Sequence, residues 1–128
     1  MNNKAENQKY HITMEPAFDF LQLIDVPALV AACKETWYNQ TLCKVNSQLV
    51  RLGVFKEGDF HWHKHDNEDE FFFVLQGELF IELKDQTVAL KPHNGITIPK
   101  GVLHRPFVKE PTAVLMVESD SILPTGDA

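Results

Sequence analysis

Three histidines at every second position, His61, His63 and His65, constrain this chain more than any other stretch. On an extended strand, side chains two apart point to the same face, so all three imidazoles can look into one interior. A carboxylate-rich bend follows, Asp66-Asn67-Glu68-Asp69-Glu70, and then an apolar run, Phe71 to Leu75, closed by Gln76-Gly77. Strand, bend, strand and tight turn bring imidazoles and a carboxylate to one point, and the simplest occupant of that point is a metal ion. Neutral imidazole with carboxylate suits Zn, Fe, Ni, Cu or Mn. Glu70 lies five residues past His65, so an unbroken strand would turn it to the opposite face; the bend must reset the parity. Glu68 and Asp69 compete with it for the role. The plainer alternative is a solvated acidic loop beside partly buried histidines. It weakens because a further histidine, His104, arrives from a separate turn.

The rest of the chain reads in order. Residues 1 to about 13 are expected to form a loose tail. Asp25 is placed to cap a helix, with Pro27 in its first turn. Val26, Leu29, Val30, Cys33 and Trp37 then fall on one helical face, so a packing helix is expected over 26–37, covering a sheet or a partner. From Leu42 the period is that of strands: Leu42 to Asn46, Gln48 to Phe55 and the histidine strand Phe60 to His65. Phe71 to Leu75 and Glu78 to Leu83 flank Gln76-Gly77 and read as a tight hairpin. Thr87 to Leu90, Ile96 to Ile98, His104 to Val108 and Thr112 to Glu118 complete the set. About nine short strands argue for an all-β sandwich or barrel. The expected organisation is a tail and helix over 1–40, one barrel domain over 41–119 and a C-terminal tail over 120–128.

Composition limits the partners. The formal net charge is −6 and the pI about 5.4. An acidic chain without a basic stripe argues against nucleic acid and anionic membranes. No apolar run reaches the roughly 20 residues a bilayer span needs, and the polar start lacks the apolar centre of a signal peptide. A cytoplasmic location is expected, with Cys33 and Cys43 as free thiols.

The second half of the site is Gly95-Ile-Thr-Ile-Pro-Lys-Gly-Val-Leu-His104. Its glycines permit turns that other residues resist, and it delivers His104 to the start of a strand. The two stretches together resemble the cupin superfamily. Gly58, His63, His65, Glu70 and Gly77 fill the places of that family's first motif. Gly95, Pro99, Gly101 and His104 fill the second, after 17 intervening residues, Glu78 to Asn94. The resemblance covers roughly Val54 to Val117. Both leading spacers are shorter than the family's, and Val108 stands where the family often has Asn. The resemblance implies a double-stranded β-helix (jelly-roll) barrel behind a short N-terminal helix. It also implies one divalent metal (Ni, Zn, Fe or Mn) held by His63, His65, Glu70 and His104, a small-molecule ligand, and a homodimer.

Other residues are weighed beside that set. Glu70 heads the apolar strand, and Phe72 and Val74 share its face, so these three should line the interior. Phe71, Phe73 and Leu75 should face outward, onto the helix or a partner, and Asp69 should point out. His61 is a candidate for supporting a ligand, or a histidine at the barrel mouth without a role. Phe107 and Met116 are candidate walls. Arg51, Lys100 and Arg105 are candidates to meet an anionic substrate, with surface solvation the plainer reading of each. His93 and His11 are expected on the surface. The function expected is metal-centred chemistry on a small molecule, dioxygenase-like or isomerase-like. The alternative is a non-catalytic metal- or ligand-binding module.

Overall fold

The computed structural model of the chain describes residues 10–127. The expected tail over residues 1–9, and Ala128, lie outside that range. Among the described residues ten strands form two sheets. They are β1 (Ile12–Thr13), β2 (Trp37–Val45), β3 (Gln48–Phe55), β4 (Gly58–Asp59), β5 (Glu70–Gln76), β6 (Leu79–Glu82), β7 (Thr87–Leu90), β8 (Gly95–Ile98), β9 (Arg105–Val108) and β10 (Thr112–Ser119). The larger sheet runs β1-β2-β3-β10-β5-β8 and the smaller β4-β9-β6-β7. The mostly β chain, with successive strands passed between two sheets, is a jelly-roll. No helix among the described residues is long and apolar enough to cross a membrane.

Period-2 alternation builds the interior. Along β5, Glu70, Phe72 and Val74 are buried while Phe71, Phe73 and Leu75 are half-buried. Phe72 and Val74 meet Leu79 and Ile81 of β6, Val114 and Met116 of β10, and Phe60 in the core between the sheets. Burying each large apolar side chain stabilises the fold by about 1.5–3 kcal/mol.

The helix, α1 (Val26–Ala32), begins as expected: Asp25 caps it by accepting from the Ala28 amide at 3.2 Å. It ends five residues before Trp37, however. Cys33 is already extended, and Trp37 starts β2, where its ring stacks 4.1 Å from Phe55. Stacking in the core between the sheets outweighs the helical spacing. Val26, Leu29 and Val30 instead pack, with Leu75, on Leu42, Leu52 and Val54, so α1 covers the outer face of the larger sheet.

The expected hairpin across Gln76-Gly77 does not form. β5 pairs with β10 and β8, whereas β6 pairs with β7 and β9. Both strands carry a row of fully buried side chains, and these rows face each other across the core rather than lying side by side. Gly77 makes the crossing with φ +82°, and a Cβ there would collide with the Pro111 carbonyl oxygen. The histidine stretch is also not a regular strand; its one bridge is His63 to His104.

Two stretches expected as tails are packed. Tyr10 and Ile12 are buried, and β1 pairs in parallel with β2. At the other end Ile122 and Thr125 are buried, and the Asp127 amide donates to the Lys64 carbonyl at 2.9 Å. Arg51, a candidate for substrate contact, lies instead wholly inside the protein. It donates to Thr41 Oγ1 at 2.9 Å and the Thr13 carbonyl at 3.3 Å, and lies 3.5 Å from Glu118 Oε1.

Gly77→Ala is expected to lower the unfolding free energy by about 2 kcal/mol or more, because it combines a left-handed backbone with a backbone clash. Urea denaturation would measure it, and an unchanged midpoint would contradict the crossing described.

Candidate metal centre

His63 and His104 are joined first through the backbone. Each amide donates to the other's carbonyl, at 3.0 and 2.9 Å, which sets the two imidazoles on one side of the bridge with ring centroids 4.3 Å apart. His65 follows two residues later on the same face, anchored by the Gly101 amide donating to its carbonyl at 2.7 Å. Glu70 opens β5 opposite Ile98 and Glu118. The bend at Asp66-Asn67 absorbs the parity difference between His65 and Glu70. All four side chains are buried, and one ligand atom from each lies within 4.8 Å of all the others.

Backbone carbonyls fix the rings. His63 Nδ1 lies 3.0 Å from the His61 carbonyl and His104 Nδ1 lies 2.9 Å from the Val102 carbonyl. A carbonyl only accepts, so both Nδ1 atoms carry the hydrogen and both Nε2 lone pairs are turned inward. Glu70 Oε1 stands 3.2 Å from His104 Nε2 and 3.4 Å from His65 Nε2. Neither ring nitrogen of buried His65 makes a well-directed hydrogen bond. Lone pairs converging on a carboxylate, with a histidine left unpaired, are the donor set of a cation site.

The charges agree with that reading. Burial, and next the neighbouring His104 ring, hold the His63 imidazole down to about 3, so it stays neutral. Burial on its own would raise the Glu70 carboxyl, but the His104, His65 and His63 imidazoles around it hold it well below the usual range. Glu118, the cross-strand neighbour of Glu70, is different: burial, and next the Glu70 charge, push it up to about 8 against the pull of Arg51. At 3.5 Å the Arg51 contact is too long to reverse this.

The acidic bend separates its three carboxylates. Asp69 is exposed and accepts from the Lys100 amide at 2.9 Å. Glu68 is buried, though not in the cluster; it accepts from Ser121 Oγ at 2.7 Å. Only Glu70 joins the histidines. His61 stays outside the cluster, its Nε2 donating to the Thr125 carbonyl at 2.6 Å; its backbone carbonyl holds His63 Nδ1 and its ring meets the His63 ring edge to face at 5.4 Å. Arg105 pairs with Glu82 and Asp59, away from the cluster. His93, His11 and Lys100 are exposed. Phe107 stacks on Phe80, while Met116 faces the interior.

Beside the cluster lies a cavity of about 20 Å³, bounded by His63 and Glu70, by Phe60, Phe72 and Met116, and by Pro124 from the C-terminal segment. Trp37 and Asn39 also line it. Sequence reasoning missed both. Trp37 was assigned to a helical face, and that assignment hid the strand parity it shares with Asn39. Glu118 and the C-terminal segment were missed too, since nothing local marks a contact made only across the fold.

The sequence and fold relate this chain to known proteins. A profile of the cupin domain matches residues 52–118. The uncharacterized protein YdbB of Bacillus subtilis is 42% identical over 92 residues, which is 71% of this chain and 80% of YdbB. The crystal structure of a cupin-2 domain containing protein from Shewanella frigidimarina superposes with a TM-score of 0.71 at 30% identity, covering 76% of this chain and 94% of that one. A cupin superfamily protein from Desulfitobacterium hafniense shares the fold, with a TM-score of 0.66 at 19% identity over 79% of this chain and 93% of its own. With both motifs on the jelly-roll and a profile match spanning the strands that carry them, this chain belongs to the cupin family.

Proposed function

We propose that the protein holds one divalent transition metal through His63, His65, Glu70 and His104 and acts on a small molecule there. The observation that carries this reading is the inward turn of three imidazoles toward one ionised carboxylate, with both ring nitrogens of buried His65 left unpaired. A buried polar atom without a partner costs about 1–3 kcal/mol, and a cation would remove that cost. Four protein ligands on a six-coordinate ion would leave open positions, and such an ion supplies Lewis acidity to a bound oxygen. The chain's own residues do the rest. The His61 and Val102 carbonyls orient two imidazoles. Phe60, Phe72 and Met116 keep bulk water out. Oxidation or isomerisation of the small molecule is the activity this reading favours. A second reading, metal-dependent binding without turnover, is favoured by the cavity wall: apart from His63 and Glu70, its lining residues carry no titratable group to serve as a separate acid or base. Turnover assays on sugars, diketones and thiol acids with several metals distinguish the two.

A homodimer is part of the same proposal. The outward face of β5 is partly occupied, since Leu75 packs under α1. The stronger support is the segment before α1, where Phe20, Leu21 and Leu23 are 85%, 106% and 87% exposed. Apolar side chains clustered this way mark an association surface.

Four outcomes are expected. Elemental analysis should find one metal per chain. Calorimetry should show binding sharply weakened in His104→Ala and Glu70→Gln and little changed in Glu68→Gln and Asp69→Asn; full occupancy in His104→Ala would refute the site. Metal-free protein should lose stability as pH falls from about 6.5 to 3, because the unfolded chain takes up a proton that neutral, buried His63 refuses. Denaturation across that range reads it, with a shallower slope expected for His63→Gln. Sedimentation should give twice the 14.6 kDa chain mass; a concentration-independent monomer would contradict the dimer.

A further inference from the structure

We infer that Trp37 and Asn39 form a recognition pair for a hydroxyl group on the ligand that binds beside His63 and Glu70. The inference rests on the metal-site reading above and extends it to what the site selects. Trp37 and Asn39 leave β2 on one face, two residues apart, and both are buried at the cavity. Trp37 Nε1 is a hydrogen-bond donor and Asn39 Oδ1 an acceptor, and neither has a partner. Among the described residues, the remaining buried side-chain nitrogens and oxygens without a partner belong to His65 and Glu118. One is in the ligand cluster and the other is the cross-strand neighbour of Glu70. Unpaired buried polarity is therefore gathered at this one place, and native structures keep such groups unpaired where a ligand or water completes them.

Apart from His63 and Glu70, the cavity's other walls are apolar side chains. Phe55, Phe60, Phe72, Met116, Pro106 and Pro124 offer carbon surface to it. Both residues are also anchored at this position. The Trp37 ring is stacked between Phe55, at 4.1 Å, and Phe60, at 6.0 Å. The Asn39 backbone is tied by its amide donating to the His11 carbonyl at 3.3 Å. A hydroxyl both accepts and donates through one oxygen, so it answers an indole N–H and an amide oxygen together. A methyl group of the same size answers neither. At about 20 Å³ the cavity holds roughly one water, so the ligand group it takes beside the metal-bound end is about the size of one hydroxyl.

The test compares 3-hydroxypropanoate with butanoate, two carboxylates of equal heavy-atom count that differ by hydroxyl for methyl. Protein loaded with Co(II) is titrated with each, and binding is read from the visible spectrum of the ion. The wild type should favour 3-hydroxypropanoate by about tenfold or more. Trp37→Phe and Asn39→Leu should each bring the two acids to within about threefold, with the Co(II) stoichiometry unchanged as the check on folding. Co(II) bound normally with no preference in the wild type would overturn the inference alone, as would a preference that survives both substitutions. Failure to bind Co(II) would overturn the metal site, and the inference with it.

Discussion

The site depends on two backbone hydrogen bonds between His63 and His104. They are the one bridge that ties the irregular histidine stretch to the start of β9. Without them His63 and His65 would belong to a surface loop, and Glu70 and His104 would face an open mouth. With them, four clustered side chains from three separate segments are held inside a core of aromatic and aliphatic residues. Each ring is then aimed by a carbonyl two residues earlier, His61 for His63 and Val102 for His104. Backbone and side chain thus use the same short stretches, so position and orientation are set together.

Holding that much polarity inside is costly, and the jelly-roll distributes the cost. Burial lowers His63 and keeps it neutral, so it adds no charge to the interior. Glu70 is the ionised carboxylate of the cluster, and its histidine neighbours stabilise it. Glu118 is raised by burial and by Glu70, while the Arg51 guanidinium at its far side is shared with Thr41 and the Thr13 carbonyl. Buried charges persist where several partners satisfy them and become strongly destabilising when one partner is removed. The edge strand β1, which supplies the Thr13 carbonyl, therefore matters to a centre it does not touch.

The cavity is closed by what the linear chain presents as its end. Pro124 forms part of its wall, Thr125 engages His61, and Ser121 engages Glu68. The C-terminal segment therefore sits against both the histidine stretch and the acidic bend. Of the four clustered side chains, Glu70 comes from a strand, β5, and the His63–His104 bridge ties two histidines to the sheet framework.

Much of this was written in local spacing. His63 and His65 share a face because strand side chains repeat every two residues, and Glu70 stands at the head of an apolar strand whose alternate members line the core. Those relations are local, and they marked the all-β class and the inward Phe72 and Val74, while the two cupin-like motifs singled out the four clustered residues. Residue types alone also set what the cluster can hold. Pairing between distant segments was not legible. The period of Trp37 suited a helix, yet Phe55 and Phe60, from other segments, drew it into a strand, and its partnership with Asn39 went with it. Gln76-Gly77 suited a hairpin, yet two fully buried faces had to oppose each other across the core. Arg51 suited the surface, yet Thr41, Thr13 and Glu118 enclose it. In each case the deciding contact lies far away in sequence, where burial outweighs local preference. The chain by itself determined which side chains could meet a metal. The tertiary structure decided which segments enclose them, because only packing brings those segments within reach.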